Sequence, residues 1–177
     1  MVNITKVVTK TGDSGDTSLV SLERVRKSNG IISAVGAVDE VNAMIGTITT
    51  KDPSVRVILN GIQHELFDLG ADLCNPIDNP GLRVKEDYVD RIDQIIAVYI
   101  NKLKPLRSFV LPTGDIHVAR SIARRAELAV WKLIDEDGVS VSPLVPKYLN
   151  RLSDLLFVLA RYENMGAEVE WMQNNER

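Results

Sequence analysis

Cysteine is nearly absent. Cys74 stands alone among 177 residues, so no internal disulfide can form, and a reducing, cytoplasmic setting is the simplest reading. Histidine is as scarce. His64 and His117 are the only two, and neither a His-Glu-x-x-His pattern nor paired cysteines accompany them, which removes the common zinc-site spacings. There is no Gly-x-Ser-x-Gly elbow, so a histidine-based triad is not expected. No apolar run approaches the ~20 residues of a membrane-spanning helix. The opening Met-Val-Asn-Ile-Thr-Lys-Val-Val is too short in apolar run for a signal peptide. An excess of positive charge is missing too: 21 Lys and Arg face 24 Asp and Glu, a formal net charge of −3. That balance argues against broad binding to nucleic acid or to an anionic membrane. No solenoid-type repeat and no low-complexity tract is found.

What is present suits one globular domain over 1–177, with 45% hydrophobic and 25% charged residues. Residues 1–31 mix Gly, Ser, Thr and charge without a helical period and read as an irregular arm, with at most a short strand at 4–8. From about Ser33 steps of three and four dominate. Val38, Val41, Ile45 and Ile48 share one face. Val55, Leu59, Ile62, Leu66, Leu69 and Leu73 share another, opened by Asp52-Pro53. A loop over 76–85 follows, then Val89, Ile92, Ile96 and Ile100. Thr113-Gly114-Asp115 reads as a cap, with the Asp115 carboxylate suited to first-turn amides, and the helix after it runs to about Ile134. A last helix from Leu144 to Met165 carries Tyr148, Leu152, Leu155, Leu156 and Leu159, and 166–177 is a polar tail expected to fray. The expectation is an all-α, five-helix bundle over 32–165 with ferritin-like up-and-down packing.

Four patches could carry chemistry. The first is Thr9-Lys10-Thr11-Gly12-Asp13-Ser14-Gly15-Asp16-Thr17. Glycines there let successive amides converge on an anion, hydroxyls and Lys10 add donors, and Asp13 and Asp16 could hold a metal or orient donors. The Gly-Lys-Ser/Thr ending of a P-loop is absent, and on composition alone a polar surface turn is favoured. The second is His117, Arg120, Arg124 and Glu127, which steps of three, four and three place on one helix face. Arginine forks suit phosphate oxygens, although a solvated charged face is the commoner arrangement. The third is Asn150 with Arg151 and Asp154, which either staple the bundle or meet a ligand. The fourth is Asp39-Glu40, either helix-start carboxylates or partners that pose an arginine.

In this order, the 9–17 segment, Val38-Asp39-Glu40-Val41-Asn42, Arg120-Ser121-Ile122-Ala123-Arg124-Arg125-Ala126-Glu127 and Leu149-Asn150-Arg151-Leu152-Ser153-Asp154 resemble the PduO-type ATP:cob(I)alamin adenosyltransferases. The resemblance runs from about residue 5 to about residue 165. Ile62–Gly70 and Phe109-Val110-Leu111-Pro112 add weaker agreement. It implies a homotrimer with active sites between subunits that moves the 5′-deoxyadenosyl group of ATP to the cobalt of cob(I)alamin and releases triphosphate. By the same resemblance Thr9, Lys10, Thr11, Gly12, Asp13, Gly15, Thr17 and Lys27 would wrap the triphosphate. Arg124 would contact the phosphates near the reacting carbon, and Arg120 would pair with Asp39 across the subunit contact. Asn150 would hold the ribose or nucleotide, Glu127 would partner Mg²⁺ and phosphate, and Phe109 would crowd the lower corrin face. With no flavin motif in the chain, a separate reductase is implied.

Three features depart from the family pattern: Ile31 and Leu128 stand where arginines are usual, and the stretch between Pro112 and His117 is shortened. They keep a rival in view, a non-catalytic trimeric module that binds nucleotide or delivers cobalamin, and beyond it a purely structural bundle.

Overall fold

The computed structural model describes residues 5–75, 81–165 and 167–173. The expected loop residues 76–80, the end of the tail at 174–177 and residues 1–4 lie outside the described part. Two short strands, β1 (Asp16–Ser18) and β2 (Arg24–Arg26), pair antiparallel with Thr17 opposite Val25. Five helices follow: α1 (Gly30–Thr47), α2 (Pro53–Leu73), α3 (Glu86–Ile100), α4 (Asp115–Asp135) and α5 (Leu144–Glu163). The five-helix expectation holds, and no helix is long and apolar enough to cross a membrane among the described residues. The arm differs from its reading: residues 5–8 form no strand, and a hairpin occupies 16–26 instead. Three-residue strands are too short to leave an alternation that can be told from a polar turn.

Each helix starts for a local reason. Asn29 caps α1 by accepting from the Ile31 amide at 2.9 Å, and Asp52 caps α2 by accepting from the Ser54 amide at 2.8 Å, with Pro53 in the first turn. α4 does not use Asp115 as its cap. Gly114 holds that position with φ +84°, a backbone state open to glycine at little cost, and Asp115 becomes the first helical residue, its charge beside the helix's positive end.

α4 lies against both α1 and α5, α2 packs on α1, and α3 packs on α5. The faces read from the sequence are buried in α1, α2 and α5, including Val38, Val41, Ile45, Leu59, Leu66 and Leu152. On α3 the apolar stripe ends one residue early: Tyr99 is buried and Ile100 is exposed. Tyr99 is held by an edge-on ring contact with Tyr162 and by a 2.8 Å hydrogen bond between its hydroxyl and that of Ser54. The tail reading is also corrected. Leu111 donates its amide to the Val169 carbonyl at 2.8 Å, Trp171 donates to Phe109 at 2.6 Å, and Val110 bridges Glu170. Residues 167–173 are therefore a strap along the connector before α4. Arg161 holds that strap from beneath, donating to Glu168 and to the Lys104 carbonyl, both at 2.8 Å.

Between α2, α3 and α5 sits a buried polar knot. The Tyr148 hydroxyl donates to Glu65 at 2.7 Å, and Arg91 pairs with the same carboxylate. A buried carboxylate that loses a hydrogen-bond donor keeps its desolvation cost. Tyr148→Phe is expected to lower stability by about 1–3 kcal/mol in urea unfolding followed by circular dichroism. An unchanged midpoint would show that Arg91 alone suffices.

Candidate functional site

The arm builds its loop from backbone first. Gly15 has φ +88°, and its carbonyl accepts from the Lys27 amide at 2.8 Å, closing the hairpin base. Lys10 also has positive φ, at 60°. Arg26 donates to the Ser14 carbonyl at 3.0 Å and to the Asp16 carboxylate at 3.1 Å, while Arg24 donates to the Thr11 carbonyl at 2.7 Å. These two arginines tie down both sides of the 9–17 loop. Sequence reasoning passed over them; the signal was the alternation Arg24-Val25-Arg26 directly before Lys27. The Lys27 ammonium lies 3.1 Å from where a side chain on Gly12 would begin, so a larger residue there would push the lysine tip aside. Gly12, Gly15, Lys10 and Lys27 are thereby gathered at one loop, with a lysine tip folded over a glycine backbone. The Thr9 and Thr11 hydroxyls hydrogen-bond each other at 3.0 Å, and Asp13 is exposed. In the arm, Leu19 is buried, and the Val20 backbone lies near the half-buried Cys74.

α4 carries the other half. Its buried residues include His117, Ala119, Ala123 and Ala126, and its outer stripe holds Arg120, Arg124, Glu127 and Trp131. At its start, a groove of about 610 Å³ is bounded by Phe109, His117, Arg120, Phe157 and Trp171. Phe109 is 80% exposed on the connector. The Arg120 guanidinium rests 5.4 Å from the Phe157 ring centre, and that ring meets the His117 imidazole edge-on at 5.9 Å. Phe157 and Trp171 are groove residues that sequence reasoning missed. Phe157 looks like one more apolar residue of α5, and Trp171 reaches the groove only because the strap folds back.

One turn beyond Arg120, Arg124 is exposed and has no ion pair among the described residues. Its neighbour Arg125 is engaged by Glu40 of α1. Farther on, Asn150 of α5 donates to the Glu127 carboxylate at 3.3 Å, at the rim of a second cavity of about 480 Å³. Within the single chain Arg120 does not pair with Asp39, which is exposed on α1. No hydrogen bond or ion pair among the described residues joins the 9–17 loop to α4 or α5. One chain thus brings together Lys27 with the loop, Phe109 with Arg120, and Glu127 with Asn150, as three separate groups. The departures have distinct surroundings: Ile31 packs against the core, whereas Leu128 is 68% exposed.

His117 is 4% exposed and its Nδ1 has no hydrogen-bond partner. Burial, and then the positive Arg120, push its pKa below the ordinary 6.5, with Glu168 opposing. The fold therefore favours neutral imidazole. Its contribution to stability is complete above pH 6.5 and is lost as pH falls from 6.5 toward the folded value, because the unfolded chain takes up a proton that the folded chain refuses. The His117 ring resonance, followed by NMR against pH and assigned by comparison with His117→Phe, is expected to titrate below 6.5. A midpoint at or above that value would remove burial as the dominant influence.

Known proteins resemble this chain in sequence and in fold. The sequence profile of the cobalamin adenosyltransferase family matches residues 7–163. A corrinoid adenosyltransferase of Mycobacterium tuberculosis is 41% identical over 188 aligned residues, covering 99% of this chain and 97% of that protein. The corrinoid adenosyltransferase of Bacillus subtilis is 36% identical over 170 residues, covering 90% and 86%. Among solved structures, a variant PduO-type ATP:corrinoid adenosyltransferase from Lactobacillus reuteri, complexed with cobalamin and ATP, matches with a TM-score of 0.86 at 31% identity, covering 96% of this chain and 97% of that one. Another variant from the same organism, complexed with ATP, matches with a TM-score of 0.84 at 30% identity, covering 95% and 100%. The chain belongs to the cobalamin adenosyltransferase family.

Proposed function

We propose that this chain transfers the 5′-deoxyadenosyl group of ATP to the cobalt of cob(I)alamin, releasing triphosphate, and that it does so as a cytoplasmic homotrimer. One observation carries the reading: a single stripe of α4 runs from the groove at Phe109 and Arg120, past Arg124, which has no ion pair among the described residues, to the cavity rim at Glu127 and Asn150. Arg120 and Glu127 are seven residues apart, or about 10 Å along the helix. A corrin in the groove and a nucleotide at the rim would then meet near Arg124.

The chemistry asks little of the protein's own nucleophiles. Co(I) is a strong nucleophile and belongs to the substrate. The protein must hold C5′ in line with cobalt and stabilise charge growing on the leaving triphosphate. Lys10, Lys27, the amides around Gly12 and Gly15, and Arg124 are the groups for that charge. Phe109 would crowd the lower face of the corrin, displace the axial ligand there and so ease reduction of cobalt, with electrons from a separate reductase.

Among the described residues no cluster of three or more His, Cys, Asp or Glu could hold a metal. One carboxylate, Glu127, is a fitting partner for a Mg²⁺ that enters on the triphosphate, because Mg²⁺ takes its other ligands from phosphate and water. Bound there, the ion would neutralise phosphate charge.

The three groups of residues are separate in one chain, which supports completion of the site by a neighbour. The arm of one subunit would lie over α4 of the next, and Asp39 would pair there with Arg120 and order the site.

Protein mixed with ATP, Mg²⁺ and chemically reduced cobalamin is expected to yield adenosylcobalamin, seen as a light-sensitive spectral change. ATP binding without product would sink the catalytic reading and leave a nucleotide-binding or cobalamin-delivery module. Arg124→Ala is expected to lower turnover by roughly 100-fold or more while helix content stays the same. Unchanged turnover would remove Arg124 from the site.

A further inference from the structure

We propose that Trp131 is the platform on which the base of the nucleotide stacks, and that its cavity selects purine over pyrimidine triphosphates. The inference rests on the nucleotide reading above and extends it to the residues that hold the base.

The cavity between α4 and the start of α5 has a volume of about 480 Å³, inside the ~300–1,000 Å³ range of small-molecule pockets. Its walls are largely apolar: Trp131 lines it together with Val141 and Pro146, with Ile134 one turn further along α4. Polar groups lie at one end, where Asn150 donates to Glu127. Lys147 also borders the space, but its ammonium is engaged by Glu86 of α3. A ligand matching this shape has a flat, weakly polar part and a hydroxyl-rich part that meets the rim. A nucleoside is such a molecule, with its base against the indole and its ribose at Asn150.

The direction agrees as well. Trp131 lies seven residues beyond Arg124 on the same stripe, about 10 Å along the axis, so a base on Trp131 points its phosphates back toward the Arg124 guanidinium. Trp131 is 44% exposed and makes no ring contact among the described residues, which leaves an indole face open to a second aromatic system. Both charged residues that line the cavity, Glu127 and Lys147, already have partners, so the base is chosen by stacking area rather than by its edges. Two-ring purines gain more from that than one-ring pyrimidines.

The chain has two tryptophans, so Trp171→Phe leaves Trp131 as the sole indole reporter. In that variant, ATP with Mg²⁺ and no cobalamin is expected to quench Trp131 fluorescence, saturating where calorimetry shows ATP binding. Trp131→Ala is expected to raise KM for ATP by roughly 10- to 100-fold, the size of a lost base–aromatic stack. Because the base is remote from the reacting carbon, kcat should stay within about twofold. Trp131→Phe should restore most of the affinity, and the preference for ATP over CTP should narrow in Trp131→Ala. If ATP binds in calorimetry while fluorescence and KM do not move, the base lies elsewhere and this proposal falls, with the nucleotide reading intact. If Trp131→Ala dissociates the assembly in sedimentation and Trp131→Phe fails to restore KM, the indole is a subunit contact and the proposal is overturned. If the wild-type protein binds no ATP, both readings fall together.

Discussion

α4 can sit between α1 and α5 because the middle of its inner face, between the buried Ile116 and the buried Val130 and Leu133, is made of alanine. Ala119, Ala123 and Ala126 are fully buried and carry no side chain beyond Cβ, so neighbouring backbones approach closely on both sides. Interiors at close-packed density resist insertion of even one methylene. The register of α4 is therefore set by its thin face, and its opposite stripe inherits that rigidity. Arg120, Arg124, Glu127 and Trp131 project from a helix that cannot easily slide or turn, which is what a reaction depending on alignment requires.

Two further devices shape the ends of that stripe. At its start, the strap at 167–173 pairs with the Phe109 connector and is anchored by Arg161, which brings Trp171 to the same groove as Phe109. The buried Arg161 has an ion-pair partner and a carbonyl to donate to, and it faces the Phe157 ring with its centre 6.0 Å away. At the far end, Asn150 and Glu127 bind each other across α5 and α4, and that contact positions the rim. The arm is built differently. Its hairpin is tied by Arg24 and Arg26 to its own loop, and Leu19 at its turn is buried.

Five helices and their buried faces were legible in the amino-acid sequence because burial along a helix repeats at 3.6 residues, and the pattern of Val38 to Ile48 or Val55 to Leu73 records it directly. The stripe from Arg120 to Glu127 was legible for the same reason, since spacing along one helix is a local property. Ile100 shows the limit. Its spacing fits, yet Tyr99 takes the buried position because its hydroxyl has a partner in Ser54 and its ring one in Tyr162, both on other helices.

The sequence by itself determined the helices, the shared face of Arg120, Arg124 and Glu127, and the glycine-rich character of the loop, all of which depend on neighbours a few residues away. Only the tertiary structure decided that Trp171 returns to Phe109, that Arg125 rather than Arg124 is taken by Glu40, that Lys27 folds over Gly12, and that Trp131 opens onto the cavity beside Asn150. Each of those joins residues from different elements or distant stretches of chain. Such contacts are chosen by packing and by competition for hydrogen bonds across the whole chain, and no local spacing encodes the outcome.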